Sequence, residues 1–550
     1  MIYPKIPLAQ SLIEIFKAKG IHHIVISPGS RNAPLTIGFS NQQDTFKCYS
    51  IADERCAAFF AMGMAQQLNQ PVALVCTSGS ALLNYYPAVA EAFYSQIPMI
   101  VVSADRPHDK IDIGDGQTIR QENVFANHSL YNANLSEYAS NDNDIKINVA
   151  IHEAISRKGP THINVPFEEP LYDLVSELSV TPKLLPFENE RDNFTLDEKF
   201  IQQWNSAKKK LILVGELKPN SIKNSIIESL ANDDSVVVLT EKTSNLHHET
   251  FIDTIDTLIT PFSDEDFEAF QPEILITFGG MVVSKRIKAF LRNYKPQEHW
   301  HIDKLRAYDT FGSLSQHFVT KPNLVLSQLL EHENSVNSDY KITYSKINQL
   351  RKEKHTKYVN DIPFSDFKAF EFISHNLPKE IQLQVSNSSA IRYLQLVTID
   401  KSIEVFCNRG TSGIDGSTST AIGAALKSNK PTVFITGDIS FFYDSNALWN
   451  NYIPKNFKII VINNSGGGIF RILPGHQETE VFNTFFETSH NLNASHLANM
   501  FEFTYYKATD EISLQNQWES FMNQNDNPSI LEIFTPEKIN NKILTNYFKC

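Results

Sequence analysis

The sequence predicts an α/β protein of three doubly wound parallel-sheet domains. Three observations carry that expectation. The length of 550 residues exceeds what one hydrophobic core organises. Short apolar runs alternate with stretches of helical periodicity along most of the chain, the pattern of strand–helix–strand crossovers. Polar, glycine-containing turns close the apolar runs, at the sheet edge where open α/β sheets bind ligands. The expected domains are residues 1–180, 198–335 and 355–550.

Taken in order, Leu8 to Lys19 has apolar residues at Leu8, Leu12, Ile15 and Phe16 and stops at Gly20, as a helix does. His23 to Ile26 reads as a strand ending in the loop Ser27 to Asn32, and Phe46 to Ile51 as a second strand. Asp53, Glu54 and Arg55 open a helix through Gln67, with acidic residues in its first turn. Val72 to Cys76 is a strand, Thr77 to Ser80 a loop and Ala81 to Tyr94 a helix. Met99 to Ser103 and Thr161 to Val165 complete the strands of the first domain. The polar stretch Glu177 to Asp197, with Pro182 and Pro186, reads as a linker. Lys210 to Val214, Ser235 to Thr240 and Ile274 to Phe278 are strands of the second domain, and His332 to Ser338 a second linker. Ile381 to Val385, Ile403 to Cys407, Val433 to Thr436, Ile459 to Ile462 and Ile530 to Phe534 are strands of the third.

Composition narrows the classes. Hydrophobic content of 42% and charged content of 20% fit a soluble globular protein. No apolar run reaches the roughly 18 residues of a membrane span, and the start shows no basic leader with a continuous apolar segment. Five scattered cysteines without CxxC spacing suggest reduced cytoplasmic thiols and neither a disulfide frame nor a zinc site. A net charge of −13 argues against nucleic acid as a partner. The seventeen histidines form no HxxxH or HExxH pair, so a metal hydrolase finds no support.

The chain is organised around Pro431 to Phe470. One apolar run ends at Gly437-Asp438, the next at Asn463-Asn464, and their separation fits one strand–helix–strand unit. Asp438 and Asn464 offer side-chain oxygens, and the turn Ser465 to Gly468 can aim a backbone carbonyl from Gly466. That hard oxygen set suits Mg²⁺ holding a diphosphate, and backbone amides near Gly437 can take phosphate oxygens. An ordinary βαβ unit with turn-forming Asp, Asn and Gly accounts for the same residues.

Other strand ends carry further candidates. Ser30 and Arg31 lie in SPGSRNAPL, where Arg31 is either a surface residue of a capped turn or a bidentate carboxylate binder. Ser78 and Gly79 are a helix cap or hydrogen-bond partners for a ligand. Arg106 and Gln117 share one long loop, Ser103 to Gln121. Lys285 and Arg286 open a helix against the dipole preference, as a solvated face or as a substrate contact. Ser388 and Arg392, and also Arg409, follow strands of the third domain. Six cations (Arg31, Arg106, Lys285, Arg286, Arg392, Arg409) near sheet edges of an acidic chain suggest a substrate with several carboxylates.

The stretch from Gly437 to Asn464 resembles the thiamine diphosphate motif, with Ile439 where Gly is usual. Together SPGSRNAPL, DERCAAFFAMGMA, CTSGSALLNYYPAVAEA, SADRPHD, GQTIRQ, SNSSAIR, NRGTSGIDG, GDISFFYDSNAL and NNSGGGIF resemble the 2-succinyl-5-enolpyruvyl-6-hydroxy-3-cyclohexene-1-carboxylate synthases of menaquinone biosynthesis, the MenD family. The resemblance spans all three domains and is weakest in the middle one. A Gly-Asp-hydrophobic start is usual in this family, while Gly116 departs from the Asn some members carry. The resemblance implies thiamine diphosphate with Mg²⁺ or Mn²⁺, and three domains of the thiamine diphosphate-enzyme type. It implies decarboxylation of 2-oxoglutarate and conjugate addition of the succinyl unit to isochorismate. It implies Glu54, Ser30, Arg31 and Gln117 as catalytic residues, with a largely buried Glu54 bonded to N1′ of the aminopyrimidine. Substrate contacts would be Arg31, Arg106, Lys285 and Arg286 toward isochorismate, Ser388, Arg392 and Arg409 toward 2-oxoglutarate, and also Gln117. The cofactor would meet Glu54, Ser78, Gly79, Ile414, Gly437, Asp438, Ile439, Ser440, Asn464, Gly466, Ile469 and Phe470, with Asp438, Asn464 and Gly466 on the metal. Ile414 is either plain core or the wedge that bends the coenzyme. A cytoplasmic homodimer or dimer of dimers is implied, with Glu54 serving its partner's diphosphate site. Another thiamine diphosphate enzyme of the acetolactate synthase or 2-oxo-acid decarboxylase type, and a silent binding module, are the alternatives.

Overall fold

The computed structural model describes residues 2–187, 193–331, 336–472 and 477–549. Parts of both expected linkers, 188–192 and 332–335, and Cys550 lie outside the described residues.

Three parallel sheets give three α/β layers. The amino-terminal sheet has six strands in the order Lys47–Ser50, His23–Ile26, Val72–Cys76, Met99–Asp105, Pro160–Pro166 and Asn132–Asn134. The middle sheet runs Val236–Leu239, Lys210–Val214, Ile274–Phe278, Glu298–Ile302 and Gln316–Phe318. The carboxy-terminal sheet runs Glu404–Cys407, Gln382–Val385, Thr432–Gly437, Lys458–Asn463, Ser529–Phe534 and Thr504–Ala508. The outer two sheets share one strand order, 2-1-3-4-6-5 along each domain, although no sequence repeat announces it. In each sheet the order reverses between the first and third strands. Crossovers there leave by opposite faces, so the turns after those strands open a crevice at the carboxyl edge.

Burial on both faces explains the sequence of the central strands. Val72–Cys76, Lys210–Val214 and Lys458–Asn463 are buried at every position, and apolar residues dominate them. Four strands of these three sheets escape the sequence expectation. Asn132–Asn134 and Gln316–Phe318 are three residues long, too short for periodicity. Glu298–Ile302 interleaves His299 and His301, which both share the Thr277 hydroxyl across the sheet. Thr504–Ala508 is a half-buried edge. The expected helix Ala81 to Tyr94 is two helices, Ala81–Asn84 and Tyr86–Tyr94, because Pro87 begins the second and cannot continue the first.

The outer domains are joined by two helices, Glu54–Leu68 and Ser417–Lys427, packed backbone to backbone. A Cβ on Gly63 would stand 2.0 Å from the Thr420 carbonyl oxygen, and one on Gly423 2.0 Å from that of Phe60. No side chain fits either place. One apolar cluster therefore runs from Phe59 and Phe60 to Ile422, Phe434 and Phe441, so the two outer domains share a core. The helix Tyr340–Asp361 bridges the other boundary, with Tyr340 and Tyr344 in the middle core and Val359 in the carboxy-terminal one. The third domain's expected start at residue 355 falls inside that helix.

Candidate active site at the carboxyl edges of the outer sheets

The strand order of the carboxy-terminal sheet delivers four functional segments side by side. In spatial order the strands Glu404–Cys407, Gln382–Val385, Thr432–Gly437 and Lys458–Asn463 lead into Asn408–Gly416, Ser386–Arg392, Asp438 and Asn464.

Gly437 caps the helix Asp438–Tyr443. The buried Asp438 carboxylate accepts from the Ile439 amide at 2.7 Å and from the Gly466 amide at 3.0 Å. His490 Nε2 lies 3.3 Å from its Oδ2. Ile439 sits in regular helix, so glycine's freedom is not needed there. Asn464 donates from Nδ2 to Asp366 at 2.9 Å, while its Oδ1 is buried without a partner. A buried amide oxygen left unpaired is costly; here it belongs to a side chain held through its Nδ2, on a strand end next to that of Asp438. That is what a hard divalent cation requires. Gly466 differs from expectation in one respect. Its N–H, not its carbonyl, meets Asp438, and the carbonyl accepts from Gly468 at 3.0 Å, with its second lone pair left over. Among the described residues no three His, Cys, Asp or Glu side chains cluster as metal ligands, so any metal here takes the mixed oxygen set.

Asp366 is absent from the sequence expectation. It opens the helix Asp366–Asn376 and is fully buried, with the Thr535 hydroxyl and Asn464 Nδ2 as donors. Burial pushes its carboxyl up to about 6, against the pull of those donors. Only a helix-start Ser-Asp in the sequence hints at it.

Beside this group stand two guanidinium groups. Arg409 donates to Asn387 Oδ1 at 2.7 Å, and its Nε is buried without a partner. Arg392 lies half-buried, and burial followed by the nearby Arg409 charge pulls its pKa below the usual arginine value. Neither forms an ion pair with a carboxylate among the described residues. Ser388, at φ 68°, holds a backbone conformation that non-glycine residues avoid. Ser440 Oγ donates to the Ile414 carbonyl at 3.1 Å, tying the Asp438 helix to the Arg409 loop. Ile414, Ile469 and Phe470 are half-buried and not plain core.

The amino-terminal edge is arranged differently. Glu54 begins its helix half-buried, less covered than expected, and accepts from Asn84 at 3.4 Å. No hydrogen bond or ion pair joins it to Asp438 or Asn464 among the described residues. Its neighbours grip the far end of the Asp438 helix: Arg55 donates to the Tyr443 carbonyl, and Asn446 donates to Asp53. Ser78 Oγ is buried without a partner, and Gly79 donates its amide to Gln121 at 2.9 Å. Gln121 also bonds Asn164, which bonds Asp105 and Ser103, so a buried polar network sets the Gly79 turn. Arg31 is buried, not a surface residue; it donates to the Phe167 carbonyl at 3.0 Å and to Glu169 at 3.1 Å. Ser30 and Gln117 are exposed, Gln117 at φ 55°. Arg106 pairs with Asp115 at 3.3 Å.

Lys285 and Arg286 are exposed at the start of the helix Lys285–Asn293. The dipole conflict noted in the sequence is resolved from outside. The buried Glu241 accepts the amides of Val283 and Ser284 at 2.7 and 2.8 Å, supplying negative charge where the helix starts. Burial pushes the Glu241 carboxyl up to about 7. Arg286 lies over the Phe548 ring at 4.4 Å. A cavity of about 1140 Å³ between the amino-terminal and middle domains is lined by none of the expected site residues.

A carboxylate and an unpartnered amide oxygen closing consecutive crossover units, opposite a second sheet of the same topology, define the thiamine diphosphate enzymes. Family models agree over the chain. The thiamine pyrophosphate enzyme N-terminal TPP binding domain matches residues 6–128, the middle domain of thiamine pyrophosphate residues 183–385, and the C-terminal TPP binding domain residues 388–533. The protein is a thiamine diphosphate-dependent enzyme.

A chain from Flavobacterium psychrophilum named 2-succinyl-5-enolpyruvyl-6-hydroxy-3-cyclohexene-1-carboxylate synthase is 66% identical over all of both chains. Bearers of the same name from Christiangramia forsetii and Porphyromonas gingivalis are 52% identical over 100% of this chain and 99% of theirs, and 37% identical over 98% and 96%. The chain belongs to the 2-succinyl-5-enolpyruvyl-6-hydroxy-3-cyclohexene-1-carboxylate synthase family. No helix among the described residues is long and apolar enough to cross a membrane.

Proposed function

We propose that this enzyme joins the succinyl unit of 2-oxoglutarate to isochorismate with loss of CO₂, giving the product its relatives are named for. The observation that carries the reading is the run of four neighbouring strand ends: two arginines without carboxylate partners among the described residues, then an acidic and an amide ligand group. Bound thiamine diphosphate supplies the carbon nucleophile and electron sink that a polypeptide lacks.

The chain's own residues take these roles. Asp438, the Asn464 oxygen and the Gly466 carbonyl hold Mg²⁺ or Mn²⁺ against the diphosphate, and Gly437, Ile439, Ser440, Ile469 and Phe470 border it. Ile414 supports the bend, and Ser78 and Gly79 meet the coenzyme's other end. Glu54 holds a proton at the aminopyrimidine N1′. Ser388, Arg392 and Arg409 receive the donor's carboxylates. Ser30, Arg31, Arg106, Gln117, Lys285 and Arg286 receive isochorismate. Two dianionic substrates match a cationic rim on an acidic protein.

A homodimer, or a dimer of dimers, completes the site, with Glu54 of one subunit serving the coenzyme whose diphosphate the partner holds. Supporting this, Leu83, next to the Asn84 partner of Glu54, and Tyr443, held by the neighbouring Arg55, are 42% and 55% exposed, apolar surface suited to a second copy. A site finished by another subunit is an open surface in one chain, which fits the large cavity lying elsewhere. The cytoplasm is the proposed location, consistent with four free cysteines among the described residues.

Product analysis tests the reading. Purified protein with thiamine diphosphate, Mg²⁺ and both substrates should form the carbon–carbon adduct and CO₂. With either substrate withheld it should form no adduct. Failure with both, or equal turnover of pyruvate, contradicts the proposal.

A further inference from the structure

The loop Asn408–Gly416 carries Arg409 and Ile414, and its own domain holds it at three places. Asn387 Nδ2 donates to the carbonyls of Asn408 and Gly413, both at 2.7 Å, Thr420 bonds its two ends at Asn408 and Gly416, and Ser440 holds Ile414. A further hold comes from the amino-terminal domain. Glu91, on the helix Tyr86–Tyr94, is 1% exposed. Its Oε1 accepts from the Gly410 amide at 2.6 Å, and its Oε2 from the Thr411 amide at 2.6 Å and the Thr411 hydroxyl at 2.7 Å. Ser95 Oγ adds a donor at 2.7 Å. Among the described residues no other side chain from outside the carboxy-terminal domain is bonded to this loop.

Consecutive amides clasping one carboxylate form an anion nest, and bonds to an ionised acceptor are the strong class. The approach is so close that a Cβ on Gly410 would lie 2.5 Å from the Glu91 carbonyl oxygen. Gly410 and Thr411 directly follow Arg409, so a shift of the nest swings the guanidinium.

We propose that Glu91 is a positioning residue that sets the Arg409 loop from across the domain boundary, and so tunes capture of the donor's carboxylate. The inference rests on the reading of Arg409 given above. In Glu91→Gln the side chain keeps its size, but one amide N–H₂ faces a loop donor. The KM for 2-oxoglutarate should rise about tenfold, one charge-assisted hydrogen bond's worth. The KM for isochorismate and the kcat should stay within about threefold, and thiamine diphosphate should still bind with its circular dichroism signature. Thr411→Val removes one hydroxyl alone and should raise the same KM about threefold. Ser95→Ala, which strips a donor bonded to Glu91 and not to the loop, should leave it within about twofold.

A purely structural latch behaves otherwise. A lowered Tm in Glu91→Gln and Thr411→Val with an unchanged 2-oxoglutarate KM overturns the proposal. If Glu91→Gln does not fold, an unchanged KM in Thr411→Val overturns it alone. Wild-type product formation separates the two readings. No adduct from wild type refutes the function itself, whereas adduct formation with unmoved KM values refutes only the role of Glu91.

Discussion

The two outer sheets share a strand order, yet their carboxyl edges are prepared differently. At the carboxy-terminal edge the polar groups are held by neighbours and still have something to offer. Asn464 is fixed through Nδ2 with its oxygen left over, and Arg409 is fixed through one nitrogen with Nε left over. At the amino-terminal edge the cations are paired with carboxylates, Arg31 with Glu169 and Arg106 with Asp115, although Arg106 Nε is also left over. The engaging carboxylates reach solvent, with the Glu169 and Asp115 side chains 67% and 38% exposed. The lesson is physical. Topology supplies a crevice twice, but only groups anchored by buried partners are preorganised for a ligand. Under the proposed function the second edge would exchange internal ion pairs for the substrate's carboxylates.

That contrast can be broken by substitution, beginning with the largest effect. Glu54→Gln should lower kcat by about 10²–10⁴-fold, the usual worth of a positioned acid–base group, with cofactor binding retained in titrations. Near-full activity would remove Glu54 from the chemistry. Arg392→Ala should raise the KM for 2-oxoglutarate by about 10–100-fold, because a preorganised cation loses a charge-assisted contact. Isochorismate kinetics should change little, and a uniform loss for both substrates would contradict the division of the two edges. Asp366→Ala should weaken Mg²⁺ by about 10–100-fold, as loss of a carboxylate that orients a ligand does. Its readout is metal titration, and an unmoved affinity would mean Asn464 needs no support.

Two smaller effects sharpen the amino-terminal side. Glu169→Gln should release Arg31 from its carboxylate partner, the exposed end of a pair whose guanidinium is buried. The isochorismate KM should then fall by about two- to fivefold; a rise would mean that Glu169 aligns Arg31. His162, beneath the Gly79 network, is pulled down to about 3 by burial. Its folded value lies below its ordinary 6.5, so between those limits the unfolded chain binds more protons. This contribution is present above pH 6.5 and is lost as pH falls toward 3. Urea titrations of His162→Gln should show a shallower stability loss on acidification than wild type.

The chemistry that lies in contiguous motifs was legible in the sequence. Asp438 and Asn464 end apolar runs, and a run that ends in an acid or amide can mean only a polar turn at a sheet edge. Three parallel-sheet domains followed from the same alternation. What escaped depends on distant partners. Glu91 looks like one acid in a buried helix, and its meaning lies in Gly410 and Thr411. Asp366 looks like a helix start, and its meaning lies in Asn464. Glu241 rescues a helix that begins with Lys285 and Arg286 from another element altogether. Short strands such as Gln316–Phe318 carry too few residues to show a period. Arg31 was ambiguous for the opposite reason: an arginine in a turn gives no sign that a carbonyl and a carboxylate already wait for it.

The central claim is that Glu54 of one subunit and the Asp438–Asn464 pair of another serve a single coenzyme. A doubly tagged heterodimer, one subunit carrying Glu54→Gln and the other Asp438→Ala, tests it directly. Each parent homodimer should be inactive, while the purified heterodimer, holding one intact and one doubly damaged site, should recover about half of wild-type activity. A heterodimer as inactive as its parents would contradict the account.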